Sequence, residues 1–160
     1  MVDIQTISIA IASGGVFVAA IYYILQIRHQ SRTRQTDLVM RLYANFGSME
    51  HMEAYQRLMA IEAKDWDEFA EKYSGRPEAR MFGIVCAFYE GIGVLLHRGL
   101  IDISLVDDLF STNILQIWEK VEPLVKEFRK RRKRPQIWEW FEYLYTEMKK
   151  REQQLASKTA

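Results

Sequence analysis

The feature that most restricts the fold of this chain is an apolar segment near its start, from Ile4 to Ile27, in which no residue is charged. As an α-helix, this segment would extend about 36 Å at about 1.5 Å per residue, and the hydrocarbon core of a bilayer is about 30 Å thick. It also lacks the polar stripe that a helix on the surface of a soluble core carries. We therefore predict a transmembrane helix, which makes residues 1–27 a membrane anchor.

Two other interpretations of this segment compete with the anchor. A cleaved signal peptide normally has basic residues before its apolar stretch, whereas the only charged side chain there is Asp3, and the apolar stretch is longer than is usual for a signal peptide. The second alternative is a helix buried in a soluble core. We favour the retained anchor over both.

The residues that flank the segment predict its orientation. Arg28, Arg32 and Arg34 follow it closely, and no lysine or arginine precedes it. Because basic residues next to a transmembrane helix remain on the cytoplasmic side, we expect a short N-terminus outside the cell membrane and a C-terminal domain in the cytoplasm. The sequence thus predicts a single-pass protein of the cell membrane.

Small residues recur at a spacing of four within the predicted anchor. Ala10 and Gly14 form one pair, and Gly15 and Ala19 form the other. This spacing lets the backbones of two membrane helices approach closely, so these four residues are candidates for helix packing in the membrane. Glycine and alanine are also common in membrane helices that do not associate.

The remaining sequence predicts an all-α fold, in which residues 28–154 form an antiparallel helical bundle and residues 155–160 a frayed tail. No segment alternates between apolar and polar residues over a strand's length, and helix caps recur at regular intervals. We expect one helix to end at Gly47 and others to begin at Ser48, Asp65 and Pro77. A short connector helix from Ser104 and a separate long helix, which Pro123 kinks without ending, should follow, and Pro135 should open the last helix.

The helix predicted from Pro77 to Arg98 is apolar nearly all round, which is typical of the central helix of a bundle. Gly91 and Gly93 lie within it and not between a strand and a helix, so they do not form a nucleotide-binding motif. We expect these glycines to admit another helix, or a large ring such as that of Trp118, at close range.

Glu90 is the acidic residue with most chemical interest, because a carboxylate on the central helix needs a partner to be buried. A structural ion pair with Arg41, Arg57 or Arg80 is the simpler hypothesis. The alternative is a carboxylate that binds a ligand or transfers a proton, together with neighbouring aromatic residues such as Tyr89.

Other catalytic or metal-binding patterns are missing from the sequence. The three histidines, His29, His51 and His97, are far apart, and Cys86 is the only cysteine, so no ligand spacing typical of zinc is present. A single cysteine cannot form an internal disulfide, which fits a reducing compartment. We expect no metal, no other cofactor and no catalysis.

The strongest local signal is a basic run from Lys126 to Arg134, in which seven of nine residues are lysine or arginine. The seven are Lys126, Arg129, Lys130, Arg131, Arg132, Lys133 and Arg134. They could contact an anionic membrane surface or an acidic partner, or merely form a solvated helix end that suits the helix dipole. Nucleic acid is the less favoured partner, because the chain as a whole carries a net charge of only +1.

The stretch from Tyr89 to Asp102, followed by Leu105-Val106 and Trp118-Glu119, resembles a family of small prokaryotic membrane proteins known as domain of unknown function 4760. The upstream segment from Trp66 to Phe69 fits the same pattern, so the resemblance extends from the membrane helix to about Trp118. It implies an N-terminal membrane helix and a helical cytoplasmic region, and it implies no activity.

These observations predict a membrane-anchored helical module that interacts with other molecules at the cytoplasmic face. Its expected partners are the lipid bilayer, anionic lipid included, and either another protein or a second copy of the chain. The alternative is a small membrane-bound enzyme or ligand sensor that uses Glu90 and the aromatic residues near it.

Overall fold

A computed structural model of the chain describes residues 3–159, with the side chains of residues 5–12, 158 and 159 left outside the description. Six α-helices and no strand occur in this part of the chain, so the predicted all-α class is confirmed. The helices are α1 (Ile4–Phe46), α2 (Met49–Met59), α3 (Trp66–Tyr73), α4 (Pro77–His97), α5 (Ile103–Arg132) and α6 (Glu139–Thr159).

The chain divides into two compact units, Met1–Leu38 and Val39–Ala160, and the division falls within α1. The first unit contains the apolar segment and the turns that follow it. The second unit contains the last turns of α1 and the other five helices. The domain limits predicted at residues 27 and 154 remain predictions, and α6 extends to Thr159.

Several helices begin where their own sequence supplies a cap. The backbone N–H of His51 donates to the side chain of Ser48 at 3.1 Å, and that of Glu68 donates to the Asp65 carboxylate at 2.9 Å. Pro77 occupies the first turn of α4, where its missing N–H costs nothing. These starts and the end of α1 at Gly47 confirm the predictions.

The helix α4 is the centre of the second unit, since it packs against α2, α3 and α6. A cluster of rings fills the interior: Tyr89 stacks on Phe141 with centroids 5.0 Å apart, and Trp118 meets Phe141 edge-on at 4.9 Å. The largest fully buried side chains also include Phe110, Leu58, Ile92, Ile114, Ile117, Leu144 and Met148.

The predicted connector helix at Ser104 is wrong. Asp102 caps a single helix, α5, by accepting the backbone N–H of Ser104 at 2.8 Å, and that helix continues for 30 residues. Nothing between Ile103 and Arg132 provides a stop, and Pro123 lies inside the helix without ending it, as predicted.

The last helix begins at Glu139 and not at the predicted Pro135. Lys133 ends α5 with a φ of 52°, and Trp138 adopts a φ of 53° immediately before α6. Both values lie in the left-handed region, which a helix cannot include. The segment between these two residues therefore forms a turn, and Pro135 lies within that turn.

Candidate functional site

The basic run lies at the carboxyl end of α5, where Arg129, Lys130, Arg131 and Arg132 form the last turn. Helix carbonyl groups are unpaired at this end and carry partial negative charge, so cations there are favourable. The run therefore has a structural benefit that does not require an external partner. The contacts of each side chain decide which of the charges remain available.

Two of the seven basic side chains are paired with acids on the surface of the bundle. Arg131 makes a bidentate contact with Asp67 of α3 at 2.6 and 2.7 Å, and it also pairs with Glu127 one turn earlier. The hydrogen bonds from Arg131 lower the pKa of the Asp67 carboxyl. Lys126 pairs with Glu122 at 2.7 Å.

Arg129 is the most buried member of the run and serves the interior of the bundle. Its Nε donates to the carbonyl oxygen of Ile137 at 2.7 Å, and its guanidinium pairs with Glu142 of α6. The same group lies 5.9 Å from the centre of the Trp118 ring. Arg129 thus links the turn before α6 to α5, and its side chain is only 13% exposed.

The remaining members, Lys130, Arg132, Lys133 and Arg134, are exposed. No ion pair of theirs occurs within residues 3–159, although the Arg132 guanidinium lies 5.3 Å from the centre of the Phe128 ring. The structure therefore divides the predicted contact surface. These four residues, which we call the free basic residues, can meet a phosphate or carboxylate without losing an existing partner.

Glu90 caps α6 from a distance. Its carboxylate accepts the backbone N–H of Phe141 at 2.8 Å, and the N–H of Trp140 acts on it in the same way. Burial raises the pKa of Glu90, while these two hydrogen bonds and the charge of Arg129 oppose that rise. The partner of Glu90 is therefore chiefly a helix N-terminus, which carries partial positive charge.

This arrangement corrects the predicted ion pair of Glu90. Arg57, one of the predicted partners, pairs instead with Glu53 at 2.8 Å and with Glu78 at 3.5 Å. Glu90 is not in the wall of any of four surface cavities found among the described residues. Its hydrogen bonds to the start of α6 account for a structural role.

The close approach predicted at the glycines of α4 occurs at Gly93. A Cβ atom there would lie 2.0 Å from the carbonyl oxygen of Trp140 and 2.5 Å from its carbon. The neighbour is thus the backbone of α6 and not the ring of Trp118. Gly91 has no atom within 4 Å of such a position.

Burial shifts the pKa of three titratable groups in the core toward the uncharged form. Cys86 and Tyr89 are completely buried, and burial raises the pKa of both far above the ordinary range, so neither forms an anion at neutral pH. His51 is also buried, its ring lies 4.6 Å from that of Phe88, and burial lowers its pKa. No set of three metal-binding side chains occurs among the described residues.

The helix α4 has a second apolar face that the bundle leaves uncovered. Ile84, Ala87 and Gly91, which we call the outer stripe, follow the helical spacing and are exposed. A cavity of about 430 Å³ adjoins this stripe and has His51 and Phe88 in its wall. The sequence indicated the apolar character of this face but not that it would remain exposed.

The predicted membrane-packing residues lie on α1. Around Gly14 and Gly15 no atom lies within 4 Å of an added Cβ, and Ala19 is exposed. The side chain of Ala10 lies outside the described residues.

By length and composition, one helix of the described residues could cross a membrane, and it is α4, which is internal and not N-terminal. Core helices of soluble proteins have the same composition, and α4 contributes a buried stripe to the core. The predicted anchor includes residues 5–12, whose side chains lie outside the description.

The fold and these surfaces define an all-α protein with a long N-terminal helix and a bundle whose helices are capped by their own residues. The family model named Domain of unknown function (DUF4760) matches residues 9–148. The chain therefore belongs to this family, which confirms the resemblance and extends it beyond Trp118 into α6. Neither the curated proteins nor the solved structures gave a significant match.

Proposed function

We propose that this protein is a single-pass membrane protein whose helical domain binds a partner protein, or a second copy of itself, at the cytoplasmic face without catalysing a reaction. The observation that carries the proposal is the outer stripe of α4, an exposed apolar surface on an otherwise well-packed bundle. Contiguous apolar surface on a soluble protein is commonly an interaction site.

The exposed side chains of α1 support the anchor. Val16, Phe17, Val18 and Ile21 are between 55% and 73% exposed, and Ile24, Leu25 and Ile27 are more than half exposed. A helix with this much uncovered apolar surface would be costly in water and suits the bilayer interior. Arg28, Arg32 and Arg34 follow it and support a cytoplasmic second unit.

Purification in mild detergent tests the partner. We expect the native chain to migrate as a complex, either with itself or with a co-purifying protein, and Ile84→Glu to abolish the complex because a carboxylate cannot be buried without a partner. Thr112→Glu is the matched control, since it adds the same charge at an exposed position of α5. A monomer that elutes alone, or equal effects of the two variants, would contradict the proposal.

A contact with anionic lipid is the second part of the proposal, and the free basic residues support it. Near a negatively charged leaflet each basic residue contributes about 1 kcal/mol, within a distance of about 8 Å at physiological salt. Because the tether alone holds the native chain on vesicles, the test uses a chain that lacks residues 1–27. We expect it to sediment with anionic vesicles at low salt and not with neutral ones.

The matched variants replace three charges each with glutamine. Replacing Lys130, Lys133 and Arg134 should release the shortened chain from the vesicles, whereas replacing the exposed Arg76, Arg80 and Arg98 should release it much less. Equal binding to both lipid types would argue against a charge-based contact. Tight, salt-sensitive binding to DNA by the same chain would favour the nucleic-acid alternative.

A further inference from the structure

A second cavity, independent of the outer stripe, lies where α3, α4 and the end of α5 meet. It has a volume of about 340 Å³, and we call it the aromatic groove. Its principal walls are Trp66, Phe82, Gly83, Phe128, Arg132 and Trp138. This volume is near the lower limit for small-molecule sites, so the groove suits a molecule of one or two rings.

The rings of the groove are held in place by one another. The centroid of Trp66 lies 4.5 Å from that of Phe128, and Trp138 lies 5.7 Å from Phe128 and 5.5 Å from Phe82. The backbone N–H of Trp66 also donates to the Glu127 carboxylate at 2.6 Å. The walls are therefore largely formed before any ligand arrives.

Trp138 occupies its place in the groove at a conformational cost. Its φ of 53° lies in the left-handed region, which is unfavourable for a residue with a side chain. Glycine is the residue that normally occupies such a position without strain. The ring of Trp138 nevertheless packs against Phe128 and Phe82. The ring contacts in the wall of the groove therefore outweigh the backbone strain at this residue.

Gly83 keeps one side of the groove open. It lies within α4, where glycine weakens a helix relative to alanine, and no atom lies within 4 Å of the position that a Cβ would occupy. Unlike Gly93, it is therefore not required by the close approach of another helix. The space above it belongs to the aromatic groove.

Charge decides which molecules fit. Arg132 is the only charged side chain that lines the groove in the described part of the chain, and no acid pairs with it there. The nearby carboxylates of Asp67 and Glu127 are both engaged by Arg131. A cation would thus meet a positive rim, whereas an anion would gain a charge-assisted hydrogen bond.

We propose that the aromatic groove binds a small aromatic carboxylate, whose ring packs against Trp66, Phe128 and Trp138 and whose carboxylate pairs with Arg132. The ring gains edge or stacking contacts that an aliphatic chain does not offer. The guanidinium can hold both carboxylate oxygens in its plane. This site requires neither the membrane contact nor the protein partner proposed above.

Three indoles that differ in charge test the site on the full-length chain in nanodiscs of neutral lipid, with empty nanodiscs as the reference. Calorimetric titration should show binding of indole-3-acetate, about tenfold weaker binding of indole-3-acetamide, and none of tryptamine. Equal binding of all three compounds, or no binding of indole-3-acetate at millimolar concentration, would overturn the proposal.

Two variants locate the binding and separate its parts. Arg132→Gln should remove the preference for the acetate and leave the acetamide affinity nearly unchanged. Gly83→Leu should fill the groove and abolish the binding of both compounds, whereas Thr112→Leu, at an exposed position of α5 outside the groove, should retain it. Unchanged binding by Gly83→Leu would mean that the ligand lies elsewhere, and the proposal would fail.

Discussion

Gly83 and Gly93 lie on the same helix, yet their surroundings are opposite. At Gly93 the backbone of Trp140 comes so close that no side chain fits, and at Gly83 nothing lies within reach. Around Gly93, Glu90 and the start of α6 are hydrogen-bonded together. Around Gly83, rings line the aromatic groove.

The difference teaches that one residue type serves two purposes on α4. At the end of α4 near Gly93, which we call the sealed end, glycine lets two backbones approach closely, and this packing contributes to stability. At the end of α4 near Gly83, which we call the open end, glycine leaves space beside the helix. It lowers the helix propensity there without adding a packing contact. Glycine therefore contributes to helix packing at one end of α4 and to the open space of the aromatic groove at the other.

The largest expected effect is at the sealed end. Gly93→Ala places a methyl group 2.0 Å from the Trp140 carbonyl oxygen, so α6 has to move. We expect a loss of about 3 kcal/mol in the free energy of unfolding, at the upper range for overpacked cores. Denaturant unfolding followed by circular dichroism measures it, and a loss below about 1 kcal/mol would show that α6 yields easily.

Removing the distant cap should have the next largest effect. Glu90→Ala leaves the N–H groups of Trp140 and Phe141 without their acceptor, and we expect a loss of about 1–2 kcal/mol, as for other N-caps. Glu90→Gln keeps an acceptor oxygen and should lose less. Hydrogen exchange at the Phe141 amide should quicken in Glu90→Ala more than in Glu90→Gln, and equal rates would contradict the cap.

At the open end the expected effect has the opposite sign. Gly83→Ala meets no neighbour and should stabilise α4 by about 0.5–1 kcal/mol. The measurement is the same unfolding transition as for Gly93→Ala, which makes the pair a direct comparison of the two ends. Destabilisation by Gly83→Ala would mean that the open end is closed in solution.

The smallest expected effect is a dependence on pH. Burial raises the pKa of Glu90 above its ordinary 4.5, so the folded state binds the proton more tightly than the unfolded state does. The resulting stability is fully present below about pH 4.5 and is lost as the pH rises through the folded pKa. Glu90→Gln should remove this part of the pH dependence, and identical profiles for the two chains would argue against a raised pKa.

Helix starts that depend on nearby residues were predictable from the sequence. Ser48, Asp65 and Pro77 each act within a few positions of the helix that they begin, so the local pattern is sufficient. Where two capping residues compete, as Asp102 and Ser104 do, the pattern alone did not show which one begins the helix.

Features that depend on distant contacts were not predictable. The start of α6 depends on Glu90, which is 51 residues from Phe141 in the chain. Likewise, the seven charges of the basic run are equivalent in the sequence. Only the tertiary ion pairs of Arg131 with Asp67 and of Arg129 with Glu142 show that these two side chains already have partners. The membrane anchor and the partner remain predictions from the sequence.

The distant cap also has a consequence for how the protein folds. Most of the stability of a helix in a protein comes from tertiary packing, and α6 receives its N-terminal acceptor only after a loop of about fifty residues has closed, at a cost in entropy. We expect α6 to dock after the transition state for folding. Substitutions at Glu90 should then speed unfolding far more than they slow refolding.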